Sequence, residues 1–324
     1  MLRQHGVGAV MSRVACIGEC MVELRQTTGG HYSRGFGGDT LNTAVYLARL
    51  DVQVDYLTAL GDDGLSQGMI AGWVAEGVGA RIVHLPGKLP GLYVIQTDAK
   101  GERQLFHWCE DSAARHLMEL PETEDLLNSL PTYDVVYLSG ITLSIYGPSG
   151  RGRLMTALSR ARLLGTRVAF DTNFRARDWP DLEMARSAFG AAFKTADIVL
   201  GSVGDLSALY PGESPAALMA RIPSPEVVLR LAEPASLLRF PGGSSEVGAE
   251  PVTRPVVDTT AAGDSFAAAY LAARLTGADP VEAAHAGHQL AGVVVSYHGA
   301  IIPHYAMPVK KMHRPAPPSH KASP

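Results

Sequence analysis

Short apolar runs alternating with helical stretches constrain this chain more than any other feature of its sequence. Val14-Ala15-Cys16-Ile17 ends at Gly18 and reads as a buried strand. Val52–Leu60 follows, then a helix near Ser66–Glu76; Val135–Leu138, then Ser149–Leu164; Val168–Phe170, then Asp181–Lys194; and then Ile198–Leu200 and Val227–Leu229. Such alternation argues for a parallel sheet with crossover helices, so the predicted fold class is α/β. Gly91–Gln96 and Gln104–Trp108 break the pattern: they flank Asp98-Ala99-Lys100-Gly101, a hairpin signal that predicts a lid standing off the main sheet. The last helix is expected over Val281–Tyr297. Residues 1–12 read as an N-terminal extension, and residues 309–324, with four prolines, as a disordered tail.

Composition narrows the class. The 324 residues carry a formal net charge of −4, which excludes a strongly basic nucleic-acid surface as a default. Apolar residues make up 46% and charged ones 19%, against a usual charged share of about 25%, so much of the chain can be buried. Three cysteines, Cys16, Cys20 and Cys109, suit free thiols in a reducing cytoplasm. Neither Cys16 with Cys20 nor His285 with His288 has the further ligands a metal site needs. No apolar run approaches the ~18 residues of a membrane span, and Arg13 interrupts the N-terminal apolar stretch before it reaches the length of a signal peptide core.

Two helix starts carry the chemistry. Asp258-Thr259-Thr260-Ala261-Ala262-Gly263-Asp264-Ser265-Phe266 follows the apolar triplet Pro255-Val256-Val257, read as a strand, and precedes an alanine-rich helix through Leu275. Small residues at Ala261, Ala262 and Gly263 let a ligand approach first-turn amides that have no intrahelical partner, which makes an anion site. Asp264 lies inside that site and would repel a phosphate. It is expected to orient a substrate hydroxyl and accept its proton, as a weak base whose pKa the helix dipole keeps low. The second start, Arg34-Gly35-Phe36-Gly37-Gly38-Asp39-Thr40-Leu41-Asn42, places Leu41, Ala44, Val45 and Ala48 on one helical face, with Asp39 as the expected N-cap.

With these motifs the chain resembles the ribokinase-like (PfkB) carbohydrate kinases, most nearly the 2-keto-3-deoxygluconate kinases, over roughly Arg13 to Pro308. The residues that carry the resemblance are Ile17 to Leu24, Arg34 to Thr43, Leu89 to Tyr93, Leu138 to Ile141, Asp171-Thr172-Asn173-Phe174-Arg175, Asp258 to Phe266 and Gly299 to Pro303. The resemblance implies a Rossmann-like domain over residues 13–308, with a small β lid from about 22–36 and 89–108 that is often used to form homodimers or higher homo-oligomers. It implies ATP as donor, Mg2+, and transfer to the 6-hydroxyl of the sugar acid with Asp264 as base and the anion hole on Ala261, Ala262 and Gly263. Sugar contacts fall on Gly37, Gly38, Asp39, Asn42, Tyr93, His107 and Arg175. The nucleotide falls against Ser202, Arg230, Thr259, Ala262, Gly263 and His288, with Asp205 as an indirect metal contact.

The sequence departs from that pattern at named places. His107 and Cys109 stand where these kinases carry Tyr and Arg, and losing a charge-assisted hydrogen bond of about 1.5–3 kcal/mol weakens binding of a carboxylate roughly ten- to a hundredfold. Ser202-Val203-Gly204-Asp205 replaces an Asn-x-x-Glu, and Arg230-Leu231-Ala232 a Lys-x-Gly. Three functions remain open at this point: a sugar-acid kinase, a kinase of a neutral ketose such as fructose, and a sugar- or nucleotide-binding homologue with little activity.

Overall fold

In the computed structural model, which describes residues 12–97, 103–251 and 254–308, the apolar strands lie side by side in one large sheet. The chain begins with β1 (Arg13–Ile17), β2 (Met21–Gln26) and β3 (Tyr32–Gly37), then α1 (Asp39–Arg49), β4 (Gln53–Leu60), α2 (Gly64–Ala75) and β5 (Gly79–His84). The pair β6 (Leu92–Thr97) and β7 (Arg103–Trp108) precedes α3 (Thr123–Asn128), β8 (Val135–Ser139), α4 (Gly140–Ile145), α5 (Pro148–Leu163), β9 (Arg167–Asp171) and α6 (Leu182–Thr195). The last part holds β10 (Ile198–Ser202), α7 (Val203–Leu209), α8 (Pro215–Ala220), β11 (Glu226–Arg230), β12 (Ala235–Phe240), β13 (Gly243–Gly248), α9 (Ala262–Leu275) and α10 (Pro280–Val294).

The main sheet runs β13-β12-β11-β10-β9-β8-β1-β4-β5. It is parallel from β5 to β11, and β12 and β13 add an antiparallel edge. Alternate residues of each strand feed opposite cores. Val14 and Cys16 face a core with α1, α2, α9 and α10, whereas Ala15 and Ile17 face one with α5 and α6. Burial on both faces is why these strands read as continuous apolar runs.

The hairpin joins a second sheet of order β3-β2-β6-β7, in which β2 and β6 are parallel and the outer pairs antiparallel. The Asp98-Ala99-Lys100-Gly101 turn, the 309–324 tail and residues 1–11 of the expected extension lie outside the described residues.

Several expectations need correction. Pro255-Val256-Val257 is not a strand: the β12–β13 hairpin already occupies that sheet edge, Val256 and Val257 are exposed, and the Val257 and Asp258 amides both donate to the Val295 carbonyl. The final helix accordingly stops at Val294 rather than Tyr297. Asp39 is not an N-cap; the cap position is Gly38, and Asp39 is the first helical residue. The edge strands β5 and β13 have no clear apolar signature, since an edge buries less of each side chain.

Candidate active site

In parallel sheets the carboxyl ends of the strands open into crevices where ligands bind. Here β1, β8, β9, β10 and β11 deliver Glu19, Ser139, Asp171, Ser202 and Arg230 to one such edge, the last two in register with each other. The small sheet reaches the same edge, because His107 on β7 meets Arg177 in the loop after β9.

Helix α9 ends there too. Ala261 adopts a left-handed conformation (φ 60°), and the bond that opens the helix runs from Ser265 N to Ala261 O at 2.9 Å. The amides of Gly263 and Asp264 precede it, as an anion site requires, whereas the Ala262 amide of the expected hole (Ala261, Ala262 and Gly263) already donates to the Thr259 carbonyl at 3.2 Å. Asp264 Oδ2 accepts from Asn42 Nδ2 at 2.8 Å. Desolvation, and then the Asp39 carboxylate, raise the Asp264 pKa well above the ordinary range. The expected low pKa is therefore wrong: loss of solvent and a like charge outweigh the helix dipole.

Acids surround this point. Asn173 Nδ2 donates to Asp39 Oδ2 at 2.8 Å, and burial raises the Asp39 pKa as well. Asp171, 2% exposed, is held by Arg230 at 3.2 Å, and the same guanidinium reaches Gly263 O at 3.3 Å and lies over the Phe266 ring. Thr43 Oγ1 lies within bonding range of the Asp39 carbonyl, the Tyr137 hydroxyl and the Asp264 carbonyl, which ties α1, β8 and α9 together.

On the small-sheet side, Tyr93 and His107 are register partners whose rings stack at 6.0 Å, and the Tyr93 hydroxyl donates to Glu23 Oε2 at 2.5 Å. Glycine is required opposite them: a Cβ at Gly37 would overlap the Tyr93 hydroxyl, and one at Gly38 the Glu19 carbonyl. Glu19 is 5% exposed; burial pushes its pKa up to about 7, and its Oε1 has no hydrogen-bond partner. Asn42 Oδ1 is likewise buried and unpaired, at a cost of about 1–3 kcal/mol that a ligand hydroxyl placed there would relieve.

The expected nucleotide-side residues are more occupied than the sequence suggests. Ser202 Oγ caps α7 by accepting from Asp205 N at 3.0 Å. Asp205 takes Thr172 Oγ1 at 3.0 Å and Arg175 Nη1 at 3.3 Å. Arg175 thus points toward Asp205, Arg230 is committed to Asp171, and His288 bonds Ser236 and lies edge-on to Phe266. Thr259 is exposed, and its carbonyl accepts from Ala262 N at 3.2 Å. Cys109 lies just past β7, half-buried, and all three cysteines are free thiols.

The sequence motifs assign no site role to Glu19, Glu23, Thr43, Asp171, Asn173 or Arg177. Their signal is positional: Glu19, Asp171 and Asn173 directly follow or end a parallel strand.

The arrangement defines a ribokinase-like α/β fold with a cleft at the strand ends and a second, small sheet beside it. The chain matches the model of the pfkB family carbohydrate kinases over residues 11–306. It is 44% identical over 306 residues to the 2-dehydro-3-deoxygluconokinase of Dickeya dadantii (strain 3937), covering 91% of this chain and 98% of that one. Among solved structures, a 2-dehydro-3-deoxygluconokinase from Thermotoga maritima aligns with a TM-score of 0.78 at 21% identity, over 90% of this chain and 96% of that one. A fructokinase with bound ATP from Xylella fastidiosa aligns with a TM-score of 0.78 at 22% identity, over 91% and 95%. These two likenesses speak for the fold alone. The chain belongs to the pfkB family of carbohydrate kinases, and it is an enzyme of that class.

Proposed function

We propose that this kinase transfers the terminal phosphoryl group of ATP to the 6-hydroxyl of 2-keto-3-deoxygluconate or a close sugar acid. The observation that carries the reading is the Asn42–Asp264 pair at the amino end of α9, with Asn42 Oδ1 left unpaired beside it. A sugar hydroxyl seated there can donate to Asn42 or Asp264 while the Gly263 and Asp264 amides receive the transferring group. Asp264, with its raised pKa, takes the hydroxyl proton as the new O–P bond forms and ADP leaves. The donor set fits a nucleotide at its phosphate end, at the Gly263 and Asp264 amides, with Ser202, Thr259, Arg230 and His288 as the residues expected to surround it. Mg2+ would offset the phosphate charge, held mainly by phosphate oxygens and water, with Asp205 near it. Among the described residues no group of three or more acidic, His or Cys side chains forms a metal cage.

The sugar-acid reading is favoured by the Dickeya relative, whose name states that activity. A neutral ketose remains a second reading because position 109 is a cysteine and His107 is held neutral by burial and by Arg177. Coupled ADP release with ATP and magnesium decides between them. Turnover of the sugar acid above an Asp264→Asn control supports the first reading, preference for a neutral ketose the second, and binding without ADP formation overturns both.

We further read residues 13–308 as the kinase domain and the small sheet as its lid and dimer surface. Tyr32, Phe106 and Trp108 lie exposed on the face opposite Tyr93 and His107. Among the described residues no helix is long and apolar enough to cross a membrane, and free thiols fit a cytoplasmic enzyme.

A further inference from the structure

The loop after β9 brings a cation to the sugar side that the sequence motifs did not assign. Arg177 Nη2 lies 3.1 Å from His107 Nε2, and its ion pair with the adjacent Asp178 is long, at 3.5 Å. No described residue bonds its Nη1. The neighbouring arginines are committed elsewhere: Arg25 to Glu23, Arg115 to the Cys109 carbonyl at 2.7 Å, Arg175 to Phe174 O and Asp205, and Arg230 to Asp171. His107 in turn stacks on Tyr93, whose hydroxyl touches Glu23 and backs onto Gly37. Arg177 therefore stands at the rim of the Tyr93 and His107 face.

Resting on the sugar-acid reading above, we infer that Arg177, held in place by His107, is the residue that receives the substrate carboxylate in this chain, in place of an arginine at position 109. A neutral imidazole is suited to hold it, because the lone pair at Nε2 accepts one guanidinium hydrogen without cancelling the charge. The remaining donors stay available for a bidentate contact. His107 is kept in that state chiefly by desolvation and then by Arg177 itself. Glu19 and Cys109 lie behind, both against Gly91, so an arginine introduced at 109 would have a carboxyl neighbour and could reach the same ligand.

The test uses the full chain with saturating ATP and magnesium, and compares 2-keto-3-deoxygluconate with fructose. Arg177→Ala is expected to raise KM for the acid about ten- to a hundredfold, the loss of one charge-assisted contact, with little change in kcat and none in KM for fructose. Adding Cys109→Arg to that variant is expected to recover much of the acid KM. Arg177 is exposed, so unchanged melting of Arg177→Ala shows that folding is intact. If the wild type takes the acid and Arg177→Ala leaves its KM unchanged, Arg177 is not the anchor while the sugar-acid reading survives. If the wild type turns over only fructose, the reading and the inference fall together.

Discussion

Asn42 and Asp264, 222 positions apart in sequence, meet at 2.8 Å, so that an amide from one helix start fixes the carboxyl of the other. The bond pins Oδ2 and leaves Oδ1 of Asp264 directed by the same side-chain plane. Replacing Asp264 by Asn removes the proposed base but keeps the shape. We expect Asp264→Asn to lower kcat by about 10²–10⁴, the usual contribution of a positioned base. Because the native carboxyl is raised well above its ordinary range, melting at pH 8 should be unchanged or higher in the variant.

Glu19 makes stability depend on pH in a stated direction. Its carboxyl moves from an ordinary 4.5 to about 7 on folding, so the folded protein binds more protons between those values. The favourable protonated state is fully present below about pH 4.5, and stability falls as pH rises through about 7, by about 3 kcal/mol for this group. Glu19→Gln should flatten that slope, read by urea unfolding at pH 5 and pH 8; an equal slope in both proteins would contradict the assignment.

The Asp171–Arg230 pair lies inside the protein, with side-chain exposures of 3% and 17%. Arg230→Met strands Asp171 and should cost about 3–5 kcal/mol, while adding Asp171→Leu should restore most of it. Chemical denaturation of the two variants and the wild type measures both effects.

At Gly38 an added methyl would overlap the Glu19 carbonyl, where the link from β1 to β2 passes beneath the start of α1. Gly38→Ala should destabilise by about 1–3 kcal/mol and raise sugar KM, whereas alanine at exposed Gly64, which meets nothing within 4 Å, should do neither.

The small-sheet face bearing Tyr32, Phe106 and Trp108 predicts self-association. Trp108→Lys should shift the protein toward monomer in light scattering, with the main sheet's melting temperature retained.

The central strands were legible because a strand buried on both sides must be apolar at successive positions, as Val135 to Leu138 and Val168 to Phe170 are. The two helix starts were legible because close backbone approach demands small residues. What the sequence hid was set by long-range neighbours. Nothing local to Asp264 reports that Asp39 and desolvation reverse its expected pKa, and nothing local to Arg175 reports that Asp205 draws it away from the small sheet. The edge strand β13, Gly243–Gly248, buries one valine and so left almost no pattern.

Helix α9 comes from the last quarter of the chain yet packs on α1, from the first. A ribosome that has already delivered α1, both hairpins of the small sheet and β1 to β11 has made Asn42 without its partner Asp264. The Asn42–Asp264 pair can thus form only after α9 has been made, long after α1.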